Sequence, residues 1–250
     1  PLWSRGLGDV YKRQPLEFMM PLTYQEVTVV KAKKGNYTVN LDGQELQSTN
    51  SVVMFPNESL ACEVAKELGQ LKDNLSFSDL PMTRRTLAAY DMVTPNRNRI
   101  DDIVLNIALT DVICYRAVNQ PDLNVIEKEK WDPLIKWIDQ EFALKFSVAI
   151  GVMPIVQPTN TVSKLKNLIQ KYNDLEITAI SELAVNTCSL IVTLAMIKRK
   201  ISVSEASSLV FLEESHEIHR SQEVININKQ QDAVQQELTE ALEFFFLVSK

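Results

Sequence analysis

The chain has 250 residues, of which 45% are hydrophobic and 23% charged, a composition that suits one large globular domain or two modest ones. Its net charge of -6 argues against nucleic acid or an anionic membrane as the main partner, because both attract clustered Lys and Arg. Three cysteines, Cys62, Cys114 and Cys188, stand far apart in apolar settings, without the spacing of a zinc site. We therefore expect free thiols, a reducing compartment and no structural metal.

Residues 1–14 combine charged residues with Trp3 and lack the apolar run of a secretory signal. Because this string resembles translated adapter sequence, we interpret it as a non-native leader and exclude it from the fold prediction. The true start, with any targeting peptide, would then be missing. The most apolar stretch, 184–197, is shorter than the about 20 apolar residues of a membrane span and is predicted to be a buried helix.

The segment from 24 to 55 is predicted to form short strands. Val27 and Val29 alternate with polar residues, and Asp42-Gly43 separates two further alternating segments, which is a strong signal for a β-hairpin. The other strands of this segment are predicted at 37–41, 44–46 and 52–54.

Two helices are predicted next. Asn57 is placed to cap a helix whose apolar residues recur at helical spacing as far as Leu68. A second helical pattern covers 83–93 and is predicted to stop at Thr94-Pro95, because the residue before a proline is pushed out of helical geometry. This stop suggests a domain boundary near Pro95.

Beyond this boundary almost every pattern predicts helix. Asp132-Pro133 is predicted to open one helix, and Ser202 with Glu205 forms a capping box that opens another. A short extended piece is predicted at 147–150, before a loop rich in Pro and Gly. The remaining helices are predicted at 100–107, 162–169 and 183–197, and the remainder of the chain from 206 to 246 is predicted to be helical and strongly charged.

The fold class that follows is α+β, with a small N-terminal β-rich subdomain and its covering helix, followed by a larger all-helical domain. The predicted domains are the leader at 1–14, a β-rich domain at 15–95 and a helical domain at 96–250.

The sequence offers little catalytic apparatus. Its glycines outside the leader are too far apart for a phosphate-binding loop, so ATP hydrolysis is not expected. Two histidines, His216 and His219, stand beside Glu213, Glu214 and Glu217. We favour a solvated charged face for this cluster, and a metal-assisted hydrolase using the Glu/His helix is the alternative.

Five short blocks together resemble the chaperone family, often called ATP-twelve, that binds the alpha subunit of ATP synthase. The closest block is TDVICYRA at 110–117. The others are YTVNLDG at 37–43, LPMTR at 80–84, WDPL at 131–134, and GVMP at 151–154 with Gln157-Pro158. Their order and separation follow the family, so the chain is identified as a member of it.

The resemblance implies an assembly chaperone that binds the free alpha subunit of the F1 sector and shields its interface until alpha and beta subunits assemble. It implies no catalytic residue, metal or cofactor, no nucleic acid, no membrane insertion, and a monomer when free. Such chaperones occur in the mitochondrial matrix and in the cytoplasm of related bacteria. The absent transit peptide and the leader favour a bacterium.

The acidic helix carries client binding in this interpretation. Leu212-Glu213-Glu214 matches the acidic pair that the family uses to engage its client, and we predict Glu213, Glu214 and Glu217 as partner-binding residues. The hypothesis is an acidic rim around an apolar patch, with Glu213 and Glu214 facing basic client residues. The sequence departs from the family at His216-Glu217, Ser221-Gln222 and Leu68, where aromatic residues are common, so details of the client surface are expected to differ.

Overall fold

The computed structural model describes residues 24–49, 51–70, 79–151, 153–218 and 224–249. The predictions for 1–14, Val152, His219 and Ser221-Gln222 lie outside these residues.

The chain divides into two compact units. The first unit comprises Pro1–Asn98, Asn173–Ala179 and Glu240–Lys250, and the second comprises Arg99–Tyr172 and Ile180–Thr239. Two segments from late in the sequence thus belong to the first unit, and no sequence pattern predicted this. The predicted boundary near Pro95 stays a prediction.

An antiparallel sheet of three strands forms the β-rich part of the first unit. Its strands are β1 (Val27–Lys31), β2 (Tyr37–Leu41) and β3 (Gln44–Glu45), in that order. Asp42 and Gly43 both have positive φ, 50° and 82°, which is the geometry that a tight hairpin turn requires. The strand predicted at 52–54 is wrong, because only the isolated bridges Gln47–Val52 and Tyr37–Phe55 form around it.

Helix α1 (Glu58–Gly69) covers this sheet, packing on β1 and β2. The Asn57 side chain accepts a hydrogen bond from the Leu60 backbone N–H at 3.0 Å, so the predicted cap is confirmed. At the other end of α1, the Glu67 carboxylate accepts the backbone N–H groups of Met82 and Thr83, both at 2.8 Å. These bonds satisfy free donors at the start of α2 (Pro81–Ala88).

The predicted stop at Thr94-Pro95 is wrong. The chain continues from α2 through a π-helical turn, Ala89–Val93, and a 3-10 turn, Thr94–Asn96, into α3 (Arg97–Leu109). Thr94 keeps helical dihedral angles, and its hydroxyl donates to the Ala89 carbonyl at 3.0 Å. The wider π turn accommodates the proline without ending the helical path.

The late segments bond directly to the rest of the first unit. Arg97 pairs with Asp174 at 2.8 Å, and Arg85 pairs with Glu240 at 3.3 Å. The Asn57 side-chain amide donates to the Leu247 carbonyl at 2.7 Å.

A long helix, α4 (Pro121–Phe142), organises the second unit. Asp132-Pro133 therefore does not open a helix as predicted, because Pro133 lies inside α4. The Pro133 ring is on the exposed side, where the missing N–H leaves one carbonyl of the preceding turn accessible to water. The short extended piece is confirmed: β5 (Ala149–Ile150) pairs in parallel with β4 (Tyr115–Arg116).

The later helices follow in short succession: α5 (Thr159–Ile169), α6 (Asp174–Thr187), α7 (Leu190–Ile197), α8 (Val203–Val210), α9 (Leu212–Ile218) and α10 (Val224–Val248). The continuous helix predicted at 183–197 is wrong, because Cys188 has a positive φ of 49° and Ser189 caps α7. The capping box of Ser202 and Glu205 at the start of α8 is confirmed.

The α+β fold class is confirmed by this arrangement of a small N-terminal sheet followed by helices. None of the described helices is long and apolar enough to cross a membrane. One cysteine departs from the prediction of apolar settings, because Cys62 is exposed on α1 while Cys114 is buried.

Candidate functional site

The three predicted partner-binding residues all lie on α9, in two different environments. The Glu214 and Glu217 side chains are exposed, whereas Glu213 is half-buried on the side of α9 that packs against α4. Glu213 and Glu214 were expected to act alike as surface charges, but their side chains differ in exposure to solvent. Only Glu214 and Glu217 present carboxylates outward.

Glu213 meets a second carboxyl group, that of Glu127 on α4. Glu127 is fully buried, and its two carboxylate oxygens lie 3.2 and 3.1 Å from the Ala117 backbone nitrogen, which donates to them. Burial, together with the charge of Glu127 and a hydrogen bond with it, raises the pKa of Glu213 to about 7. The raised pKa favours a proton on Glu213, which can then donate a hydrogen bond to the Glu127 carboxylate.

Two of the blocks that resemble the family meet around Arg116. Its guanidinium bonds to the Asp132 carboxylate at 2.6 Å and to the Ile113 carbonyl at 2.6 Å, and its charged carbon lies 5.2 Å from the centre of the Trp131 ring. The Trp131 indole N–H in turn donates to the Leu209 carbonyl at the end of α8. This cluster fixes β4, α4 and α8 together and so sets where α9 begins.

Asp111, from the same block as Arg116, is completely buried and joins the block to α7. Its carboxylate accepts the Ile191 backbone N–H at 3.0 Å and the Ile113 backbone N–H at 3.3 Å. Burial raises the pKa of Asp111 to about 7, against the opposing effect of these hydrogen bonds. Burial also raises the pKa of the Cys114 and Cys188 thiols, so neither is an activated nucleophile.

The described residues contain no group of three or more His, Cys, Asp or Glu side chains placed to hold a metal ion. His216 lies half-buried on α9, and its Nδ1 atom has no hydrogen-bond partner within the described part of the chain.

A second feature of this unit is an apolar fringe around β4 and β5. Most of the large apolar side chains that are exposed in the described chain belong to it: Val118, Val148, Ile150, Met153 and Val156. Gln157 holds the loop that follows β5, because its side-chain amide accepts the Ser147 N–H at 2.8 Å and donates to the Ser147 carbonyl. A groove of about 560 Å³ runs between this fringe and α4.

Sequence reasoning did not identify Glu127 or Arg116 as site residues. Arg116 could have been found, because it belongs to the block TDVICYRA, which resembles the family. That resemblance did not assign a role to Arg116 itself. No sequence feature indicated that Glu127 is buried. It opens the alternating run of charges at 127–130, which is typical of a solvated helix face.

Comparison with known proteins points to one family. Residues 23–139 match the family described as ATP12 chaperone protein. A curated relative, mitochondrial Protein atp12 of Schizosaccharomyces pombe, is 24% identical over 207 residues, in an alignment that covers 77% of this chain and 71% of the relative.

Solved structures agree with this match. Atp12 from Paracoccus denitrificans and a mutant of it each superpose with a TM-score of 0.84 at 25% identity, over 90% of this chain and 97% of theirs. A third structure, from Agrobacterium tumefaciens, is 22% identical and shares the fold, with a TM-score of 0.83 over 100% of this chain and 99% of that one.

These matches set aside the metal-assisted hydrolase that the Glu/His helix allowed, and they confirm the resemblance carried by the five blocks. The sequence match extends from the sheet into the last turn of α4, and the structural match covers 90% of the chain. The chain belongs to the ATP12 chaperone family, whose members serve ATP synthase assembly and are not enzymes.

Proposed function

We propose that this protein binds the free alpha subunit of the ATP synthase F1 sector and shields its interface until alpha and beta subunits assemble. A subunit destined for a ring exposes apolar surface that belongs to an obligate interface of more than about 2,000 Å². Such surface aggregates if it stays bare. A chaperone therefore needs a complementary surface that the correct partner displaces, and it needs no cofactor.

The observation that carries the proposal is the pair of outward carboxylates on α9. Glu214 and Glu217 are exposed and form no ion pair with any described residue, although α9 itself is held by α4 and α8. Carboxylates that have no partner among the described residues are suited to basic residues of a client, and such complementarity favours the correct partner and speeds association. Glu213, beside them, would support α9 through Glu127.

The proposed compartment follows from the relatives, one of which is mitochondrial while others come from bacteria. We propose the bacterial cytoplasm for this chain, or the mitochondrial matrix if its source is a eukaryote. The protein is proposed to be a monomer when free.

The test is a binding measurement with purified alpha and beta subunits at micromolar concentration. We expect a complex with alpha alone. Glu214→Lys with Glu217→Lys should weaken it by about tenfold or more, because two attractive pairs become repulsive. The matched control is Glu26→Lys with Glu45→Lys, which makes the same charge change at exposed positions of the first unit.

Either of two results would contradict the proposal. One is the absence of any complex between the unmodified chain and the alpha subunit. The other is equal loss of binding in the control, which would show that net charge alone governs the interaction. Circular dichroism spectra must match across the variants.

A further inference from the structure

Within the described part of the chain, the two-stranded sheet of the second unit has an open backbone edge. Tyr115 pairs with Ala149 and Arg116 pairs with Ile150, in parallel, and the Gly151 N–H donates to the Arg116 carbonyl at 2.8 Å. In this register the backbone groups of Ala149 and Gly151 face β4. Those of Ile150, and of Val148 two residues earlier, face away from it.

We call residues 148–150 the β5 edge. The described part of the chain provides no hydrogen-bond partner for the backbone groups of Val148 and Ile150. Native sheets usually protect such an edge with charged side chains, proline or a covering element, because it can pair with another chain. Here the outward-facing positions carry valine and isoleucine instead.

The side chains of the β5 edge are apolar as well as accessible. Val148 and Ile150 are two residues apart and so point to the same face of the strand, where they are 44% and 71% exposed. Among the described residues, the edge therefore combines backbone groups that lack a hydrogen-bond partner with two exposed apolar side chains.

The groove beside the β5 edge is basic, although the chain as a whole is acidic. Its charged lining residues are Arg116, Lys128, Asp132, Lys136, Asp139 and Lys145. Arg116 and Asp132 neutralise each other at 2.6 Å. Three lysines then face one remaining aspartate, which favours acidic groups in the groove.

We propose that the β5 edge binds an extended client segment of alternating apolar and acidic residues, which adds to the sheet as a third strand. The backbone of the segment bonds to Val148 and Ile150, its apolar side chains cover the exposed fringe, and its carboxylates meet the three lysines. The identity of the client, the alpha subunit, rests on the function proposed above, whereas the chemistry of the segment rests on the edge and its groove.

The first experiment does not depend on the alpha subunit. A short peptide of alternating valine and glutamate is added to the full chain, and backbone amide hydrogen exchange is measured. The Val148 and Ile150 amides should exchange at least about tenfold more slowly when the peptide is bound. The exchange rates of the Ala149 and Gly151 amides, which face β4, should change little. Protection elsewhere, or equal binding of a valine–lysine peptide, would overturn the proposal.

The second experiment uses the alpha subunit and matched variants. Val148→Asp with Ile150→Asp should weaken binding by about tenfold or more, as should Lys136→Glu with Lys145→Glu. The apolar control is Val30→Asp, because Val30 lies on β1 of the first unit with a similar exposure of 41%. The charge control is Lys33→Glu with Lys34→Glu, both exposed.

The outcomes separate this proposal from the function on which it rests. If the unmodified chain does not bind the alpha subunit, the proposed function fails, and the peptide experiment still decides the β5 edge. If the edge variants bind the alpha subunit as tightly as the controls, the edge proposal fails and the function stands. A dimer of the unmodified chain that Val148→Asp abolishes would assign the edge to a second copy and overturn the proposal.

Discussion

Two carboxyl groups, those of Glu213 and Glu127, meet in the second unit, where burial and the neighbouring negative charge raise the pKa of Glu213. Ionising both would place two negative charges side by side, away from much of the solvent. A proton on Glu213 turns this repulsion into a hydrogen bond to Glu127. The junction of α9 with α4 is therefore strongest when Glu213 is neutral.

This junction predicts a pH dependence of stability. Because the pKa of Glu213 is raised from 4.5 to about 7, the folded protein binds more protons than the unfolded chain between these values, and the free energy of unfolding falls as pH rises. Glu213→Gln keeps a hydrogen-bond donor and cannot ionise. Between pH 5 and 8 the free energy of unfolding should fall by about 1 to 2 kcal/mol less in the variant than in the unmodified protein. This value allows for screening by solvent at a half-buried site.

Urea unfolding at a series of pH values measures this difference. The pKa of Asp111 is also raised to about 7. Asp111 makes the same contribution to the pH dependence of the free energy of unfolding in both proteins, so this contribution cancels in the difference between them. Glu45→Gln, at an exposed position of β3, is the control and should leave the slope unchanged. Parallel curves for Glu213→Gln and the unmodified protein would show that Glu213 is ionised at neutral pH.

At the scale of elements, Pro133 interrupts the hydrogen bonding of α4. Its ring is exposed, so replacing it removes little packing, while alanine restores one backbone hydrogen bond. Pro133→Ala should raise the free energy of unfolding by about 1 to 2 kcal/mol. This is the gain in helix stability when proline is replaced by alanine, reduced by the greater conformational entropy of the unfolded variant.

The matched control is Pro121→Ala, at the first position of the same helix. A proline suits this position because its N–H would have no partner there. Chemical denaturation should show no stabilisation for this control. A loss of stability in Pro133→Ala would mean that the proline fixes a bend that α4 requires.

Local signals predicted elements well wherever one residue decides the geometry. Asp42-Gly43 turned the hairpin, Asn57 capped α1, and Ser202 with Glu205 opened α8, because each acts through its own backbone or nearest turn. Proline was a poorer guide at Pro95 and Pro133. Whether a helix stops at a proline depends on a π turn or on solvent access, which the sequence does not reveal.

The candidate site was predicted in part for the same reason. The charges of Glu214 and Glu217 follow from composition, and both side chains are exposed on α9. The burial of Glu213 depends on Glu127, which lies 86 positions earlier in the sequence numbering. The β5 edge likewise depends on a pairing of β4 with β5, so no local pattern could predict it.

At the scale of the whole molecule, the first unit is built from three separate stretches of chain. Its last stretch brings the buried side chains of Ala241, Phe244, Phe245 and Val248. A core assembled from distant stretches makes them mutually dependent, since each completes the burial of the others.

Phe244→Ala tests this dependence over a long sequence separation. Because Phe244 is completely buried, its truncation should lower the stability of the first unit by about 3 to 5 kcal/mol. Native-state hydrogen exchange should show faster opening of α1 and α2, early in the chain. Phe246→Ala, at a half-buried position two residues later, should have a much smaller effect. Unchanged exchange in α1 and α2 would contradict the mutual dependence.

The composition of the first unit also has a consequence for its biosynthesis. Domains generally fold in order as they emerge from the ribosome, the N-terminal one first. Here the earliest stretch leaves the ribosome long before Phe244 is translated, so its apolar face waits uncovered. An assembly chaperone of this fold must therefore pass through an incompletely folded period of its own, which lasts until α10 has emerged and can cover that face.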